Sequence, residues 1–324
     1  MGVHRRVHGK RFPVGACAVT GSGVWVVDKP EHLTSADVLR RLKRKTGPVR
    51  MGHAGTLDPM ATGVLLVCLG EATKLLNFME LEPKTYRGTL RFGVRTDTWD
   101  ITGNVVDRRP VRRMATRHLA RMLAAQEGER FLHPPVYSAI KHKGKPLYAY
   151  ARQGKAVETA PRRTVIHAFL LLSNQGTDVV FELVCSRGTY VRAVVHALGE
   201  QMGCGACLLS LRRVGVGRFR IHEARSLQRL EALLADGRGS EVLWTPEALL
   251  RHLPACSVEG ERAVRVRNGS LLRGEALVDG DVRAQRVGQQ VRILENGLLI
   301  AVAEVRRDGQ EAVFLKPLRV LNRA

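Results

Sequence analysis

Twelve residues constrain this chain more than any others: Gly52-His-Ala-Gly-Thr-Leu-Asp58-Pro-Met-Ala-Thr-Gly63 sets three glycines and a proline around one carboxylate. The loop runs directly into the apolar stretch Gly63–Gly70, GVLLVCLG. A short apolar run bounded by glycines reads as a buried strand. The loop before it costs backbone entropy to order, because glycine loses more freedom on folding than any other residue. On the residues alone Asp58 has two readings: the N-cap of a helix with Pro59 at its first position, or a carboxylate held out for chemistry.

Around this loop the pattern alternates. Val24–Asp28 (VWVVD) reads as a short buried strand closed by Lys29-Pro30, and Thr34-Ser35 caps a helix through Ala36–Thr46 with Val38 and Leu42 on one face. Glu71–Glu80 is expected to be a second helix. From Thr85 the string YRGTLRFG alternates as a strand does, and Asn104-Val-Val after a Thr-Gly turn completes a hairpin. Thr116–Ala125 is an amphipathic helix with Leu119, Met122 and Leu123 inward, and His133–Lys145, rich in Pro, Lys and Gly, is a mobile basic loop. Val179–Cys185 is a strand and Thr189–Met202 a helix carrying Val191, Val194, Val195 and Leu198. Beyond Leu250, short β-like runs (GQQVRIL, the Asn296-Gly297 hairpin signal, LLIAVAEV, AVFLKPLRVL) predict a small all-β domain. At ~150 residues per domain, 324 residues allow about two domains.

Two further clusters bear on chemistry. In Ser186-Arg-Gly-Thr-Tyr190-Val-Arg192 a strand gives way to a helix that Gly188 and Thr189 open, with Arg192 one turn in; Arg192 also reads as a solvated helical base. Lys84-Thr-Tyr86-Arg87 heads a strand, where a lone tyrosine is also ordinary packing.

Charge narrows the partner. The 52 Lys and Arg against 30 Asp and Glu leave +22, spread from Arg5 to Arg323. So large an excess on a folded chain points to a polyanion, met through phosphate contacts and counterion release, with a membrane surface as the weaker competitor. No apolar run approaches the ~18 residues of a spanning helix, so the expected location is the cytoplasm. The first residues, MGVHRRVHGKRF, read as a basic arm. Six cysteines are too few for a disulfide framework in a chain this long. Cys204-Gly-Ala-Cys207 has redox or half-zinc spacing but no second pair.

Together, GHAGTLDPMATGVLLVCLGEATK, VDKP before it, KTYRG, RTDTWD, PPVYSAIKHKGKPLYAYARQG and CSRGTYVRAVVHALGEQMGCGA resemble the bacterial TruB-type tRNA pseudouridine synthases. The resemblance runs in order from about Gly23 to Phe219, and FLKPLRVL is similar to the family's C-terminal tail. It implies isomerisation of uridine 55 in the tRNA T-loop to pseudouridine. Carried over by position, it makes Asp58 the catalytic aspartate, Tyr86 the aromatic that stacks on the target base and Arg192 the partner of Asp58. His53 would accompany the base-flipped loop; Lys74, Tyr190 and Leu211 would line the pocket. The implied fold is α+β: a mixed, mainly antiparallel sheet flanked by helices, plus a small C-terminal all-β, PUA-like RNA-binding domain. Expected boundaries are an arm at 1–22, a catalytic domain at 23–250 with a thumb-like insertion at about 113–154, and the PUA-like domain at 251–324. The resemblance also implies no cofactor, no metal, no guide RNA and a monomer. Trp25 and Trp99 depart from the family pattern as matters of packing.

The chemistry suits these residue types. Detaching uracil from C1′, turning it and rejoining it through C5 needs a group that attacks the sugar or base, or removes a sugar proton. One ionised carboxylate can do any of these, and a close arginine lowers a carboxylate pKa by ~1–3 units. Unstacking the target costs a few kcal/mol, of which stacking on Tyr86 returns ~1–3 kcal/mol. A guide-RNA-dependent synthase shares the GTLDP loop, but the PPVYSAIKHKGKPLYAYARQG segment favours the stand-alone kind. A noncatalytic RNA-folding protein would not need Asp58, Tyr86 and Arg192 together. If the C-terminal domain is independent, a chain ending near Leu250 should still fold.

Overall fold

The computed structural model describes residues 21–273, 286–308 and 313–322, apart from 139, 152, 156 and 158. Most of the basic arm, Cys17 and the Gly309 turn lie outside the described residues. The first strand, β1 (Gly23–Lys29), is followed by α1 (Ser35–Thr46), whose Thr34 cap forms a reciprocal capping box with Asp37. β2 (Met51–Ala54) and β3 (Thr62–Leu69) flank the glycine-rich loop. There follow β4 (Lys84–Phe92), a hairpin of β5 (Val94–Thr96) and β6 (Val105–Arg108), α2 (Thr116–Ala124) and β7 (Gly128–Leu132). A small hairpin, β8 (Lys141–His142) with β9 (Lys145–Pro146), leads into α3 (Leu147–Ala151). Two long strands, β10 (Arg162–Gln175) and β11 (Asp178–Cys185), precede α4 (Val191–Gln201) and β12 (Ala206–Val216). β13 (Phe219–Arg220), β14 (Arg225–Ser226), α5 (Leu227–Ala235) and α6 (Pro246–Leu249) complete this part.

The strands form one sheet in the order β14-β1-β3-β12-β4-β11-β10-β7, with β2 added on β3 and β13 on β12. Only the β1/β14 and β3/β12 pairings are parallel, which is the mixed, mainly antiparallel sheet expected. β1 and β3 read as unbroken apolar runs because each serves two cores. Trp25, Val27, Leu65, Val67 and Leu69 face one cluster with α1, α4 and α5, while Val24, Val26, Val64, Leu66 and Cys68 face another. Trp25 is a packing residue, its indole Nε1 donating to the Gly239 carbonyl at 2.9 Å.

The C-terminal sheet runs β15 (Ala255–Ser257), β17 (Gln290–Glu295), β18 (Leu298–Arg307), β19 (Val313–Val320), β16 (Leu272–Arg273), with α7 (Gly260–Arg267) against it. The Asn296-Gly297 turn joins β17 to β18 as its sequence signal required. This sheet is not packed on its own core alone: Leu299, Val302 and Leu321 fill the second face of β1 and β3. A chain ending near Leu250 would therefore expose that face, contrary to the expectation of an independent module.

Three local expectations change. The second helix is a single 3-10 turn, Gly70–Lys74, because Leu75 and Met79 beyond it fill the second core rather than a helical stripe. YRGTLRFG is the central strand β4, between β12 and β11; the hairpin arm that meets Val105 is β5. The Thr189–Met202 helix begins at Val191 with Tyr190 as its N-cap.

Candidate active site

Asp58 caps no helix. Ala61 N–H donates to the Asp58 carbonyl at 3.0 Å, closing a tight turn through Pro59 and Met60, and the strand starts at Thr62. Groups far apart in sequence hold the turn. Ser35 Oγ accepts from Leu57 N–H at 2.9 Å, and the Pro59 carbonyl accepts from His32 N–H at 2.9 Å and from Lys29 Nζ at 3.3 Å. On the other side Arg213 Nη2 donates to the Gly55 carbonyl at 3.0 Å and its Nε to the Val64 carbonyl at 2.8 Å. Leu57, Met60 and Ala61 anchor the loop in the main core. Gly63 must be glycine: with φ +100° on a strand, its Cβ would lie 2.2 Å from the Arg213 carbonyl oxygen.

α4 brings Arg192 to this turn. Arg192 Nη2 lies 3.0 Å from Asp58 Oδ2, and its Nη1 lies 3.3 Å from Asp100 Oδ2. The guanidinium also donates to the carbonyls of Thr98 and Tyr137, both at 3.0 Å. Asp100 is itself fixed, its Oδ1 accepting from Thr98 Oγ1, Thr102 N–H and Thr102 Oγ1. The two partners of Arg192 differ in access: the Asp58 side chain keeps 37% exposure and that of Asp100 keeps 4%. Asp58 is thus the carboxylate a substrate can reach, and Asp100 the one that holds the arginine.

Burial pushes the Asp58 carboxyl above its ordinary value; Arg192 and Lys29 pull it back, and the like charge of Asp100 pushes it further up. The lowering expected from a close arginine is present but is not the largest influence. Desolvation outweighs it, so Arg192 limits a rise rather than producing a fall. Lys29, closing β1, is lowered to about 8 by burial, with Asp58 the leading group that raises it. Lys84 is also lowered to about 8, by burial and then by Arg213.

The other expected residues divide. Tyr86 points from β4 into the main core and is buried, as is Leu211 on β12, and both pack in the cluster that holds Leu57 and Val191. Burial raises the Tyr86 phenol and Arg213 opposes the rise. Tyr190 caps α4 half-buried, and burial raises its phenol too. His53, on β2, is half-buried with Nδ1 unpartnered among the described residues; burial and then Arg213 hold its pKa down. Lys74 is not brought to the site. It pairs with Glu71 at 2.6 Å and lies 3.5 Å from the Val320 carbonyl, beyond the end of β3 opposite Asp58. The residues that sequence reasoning passed over are Lys29, Lys84, Asp100 and Arg213. Lys29, Lys84 and Asp100 stood inside quoted motifs, VDKP, KTYRG and RTDTWD, with nothing in their spacing to mark them as buried. Cys204 and Cys207 are free, buried thiols, and burial pushes Cys207 up to about 11.

Residues 43–191 match the TruB family pseudouridylate synthase N-terminal domain, and residues 192–253 match the tRNA pseudouridylate synthase B C-terminal domain. The chain belongs to the TruB family of pseudouridylate synthases. The border between the matched segments falls at Arg192, so the Asp58–Arg192 ion pair closes across them. The chain is 40% identical over 302 residues to a tRNA pseudouridine synthase B of Geobacter sulfurreducens, covering 93% of this chain and 99% of that relative. It is 42% identical over 273 residues to one of Burkholderia mallei, covering 84% and 89%. Among solved structures, the fold is similar to a chain of a Cbf5-Nop10-Gar1 complex, with TM-score 0.68, 23% identity and 92% and 84% coverage. It is likewise similar to a chain of an H/ACA RNP bound to a substrate RNA containing 2′-deoxyuridine, with TM-score 0.68, 21% identity and 93% and 85% coverage. At that identity the likeness is one of fold.

Proposed function

We propose that this chain is a tRNA pseudouridine synthase that isomerises uridine 55 of the T-loop, acting as a monomer without guide RNA or cofactor. The observation that carries the reading is the partly open Asp58 carboxylate held 3.0 Å from a buried arginine. The target nucleotide leaves its stack and enters beside Tyr86, Leu211 and Tyr190, with His53 beside the flipped loop. The ionised carboxylate of Asp58, by attack or by proton removal, opens the N1–C1′ bond. The uracil stays trapped, turns and rejoins through C5, and its C5 proton is lost as N1 regains one, so atoms and electrons balance without any co-reactant. Arg192 keeps the carboxylate charged and aimed while the bound base excludes water.

Relatives named tRNA pseudouridine synthase B, at about 40% identity over most of the chain, support the substrate. The 113–154 insertion supplies a thumb: it places the Tyr137 carbonyl on Arg192 and leaves Lys141, Lys143 and Lys145 exposed for phosphates. The C-terminal sheet acts as a PUA-like RNA-binding part, and the site of action is the cytoplasm. Among the described residues no helix is long and apolar enough to cross a membrane. The test is to incubate the purified chain with an unmodified tRNA transcript, without guide RNA, and to map pseudouridine. A single new pseudouridine at position 55 is expected. Its absence, or modification elsewhere, overturns the reading.

A further inference from the structure

Trp99 has φ +63°, a region that a bulky side chain enters only under strong local restraint. The restraint comes from two sides. The Trp99 carbonyl accepts from Leu208 N–H at 3.0 Å, and Ile101 N–H donates back to the Leu208 carbonyl at 2.9 Å, laying residues 99–101 along β12. The indole then lies flat on the His196 ring, centroids 4.2 Å apart and planes 6° from parallel. His196 stands four residues after Arg192 on α4, on the same face one turn along. Two consecutive loop residues thus meet two side chains one turn apart on one helix: Trp99 stacks on His196, and Asp100 pairs with Arg192.

The consequence falls on Arg192. The carbonyl of Thr98 and the carboxylate of Asp100 both hold its guanidinium, so any drift of that loop against α4 moves the guanidinium relative to Asp58. The His196 Nδ1 is buried without a hydrogen-bond partner among the described residues, and burial holds the imidazole pKa below its usual range, with Glu200 raising and Arg95 lowering it.

We propose that Trp99 and His196 are a positioning pair for the isomerisation, their stack locking the 97–103 loop to α4 so that Arg192 stays aimed at Asp58. The inference rests on the reading of Asp58 as the reacting group. Single-turnover rate at saturating tRNA, tRNA affinity and thermal midpoint are measured on the full chain and on His196→Ala, His196→Phe, Trp99→Gly and Asp58→Asn. Glycine adopts φ +63° without strain, so Trp99→Gly removes the ring while relieving the backbone. His196→Ala and Trp99→Gly should each lower the saturated rate by about tenfold, the order expected for a small misplacement, with tRNA affinity unchanged. His196→Phe, which keeps a flat ring on the indole, should recover most of that loss. A native saturated rate in Trp99→Gly or His196→Ala overturns the proposal, as does a loss that His196→Phe fails to restore. An active Asp58→Asn overturns the premise instead, and is told apart because it is seen whatever the stack variants do.

Discussion

The two sheets bury different things. In the ten-stranded sheet and the α4 helix and 97–103 loop packed on it, Lys29, Lys84, Asp100, Arg192 and Arg213 are all buried, and none of the three residues Lys29, Lys84 and Arg213 has an ion-pair partner among the described residues. In the C-terminal sheet the described core is apolar throughout, and the charges lie outside it in pairs such as Arg267–Glu295 and Arg273–Asp308. Buried charge is costly, and breaking a buried pair leaves an uncompensated ion. One region therefore carries a cost that main-chain carbonyls such as those of Pro59, Gly55 and Val64 offset only in part, while the other obeys the burial rule. Function is to be sought where the rule is broken.

If that contrast is sound, changes to the charged region should act on rate and changes to the apolar region on stability. After loss of the Asp58 carboxylate itself, the largest effect is expected from Arg192→Gln, which should lower the single-turnover rate at saturating tRNA by about 10²-fold or more. It should also move the acid limb of the pH–rate profile. Arg192 lowers the Asp58 pKa against burial, so without it that pKa rises and activity is lost at a higher pH as the solution is acidified. A limb that stays in place would mean that Asp58 is not the group titrating. Next, Tyr86→Leu should lose roughly 10-fold or more at saturation, the equivalent of a base stack worth ~1–3 kcal/mol, while Tyr86→Phe should keep most of the rate. Equal, full activity of both would remove the stacking role.

Leu299→Ala tests the other side. It removes a buried side chain shared by the two sheets and should cost ~2–5 kcal/mol in denaturant unfolding while leaving the saturated rate near native. A collapsed rate in a folded Leu299→Ala chain would show that the C-terminal sheet shapes the site. The smallest effect belongs to Lys74→Ala. Its pair with Glu71 is partly exposed and worth about 0–1 kcal/mol, and its distance from Asp58 predicts a native rate.

The parts legible in the sequence were those set by local rules. The Thr34 cap, the apolar runs of β1 and β3 and the Asn296-Gly297 hairpin all formed where expected. Asp58, Tyr86 and Arg192 could be named because their motifs are specific, and Leu211 only by its position in the family resemblance. What failed was decided at long range. The 71–80 stretch answers to a second core shared with β18 and to no helical period of its own. The cap at Asp58 gave way because a turn and a strand use the residues a helix would need. Asp100 and Arg213 look like surface charges in sequence, and only tertiary partners, Arg192 for one and the Gly55 and Val64 carbonyls for the other, reveal them as buried.

The central claim is that one carboxylate, Asp58, performs the isomerisation. Its most direct test is pseudouridine formation under single-turnover conditions at saturating tRNA, comparing the native chain with Asp58→Asn, which has nearly the same size and shape but lacks the charge. The account predicts a rate at least about 10³-fold lower with tRNA affinity near native. Conversion by pure Asp58→Asn protein at more than a trace would contradict it.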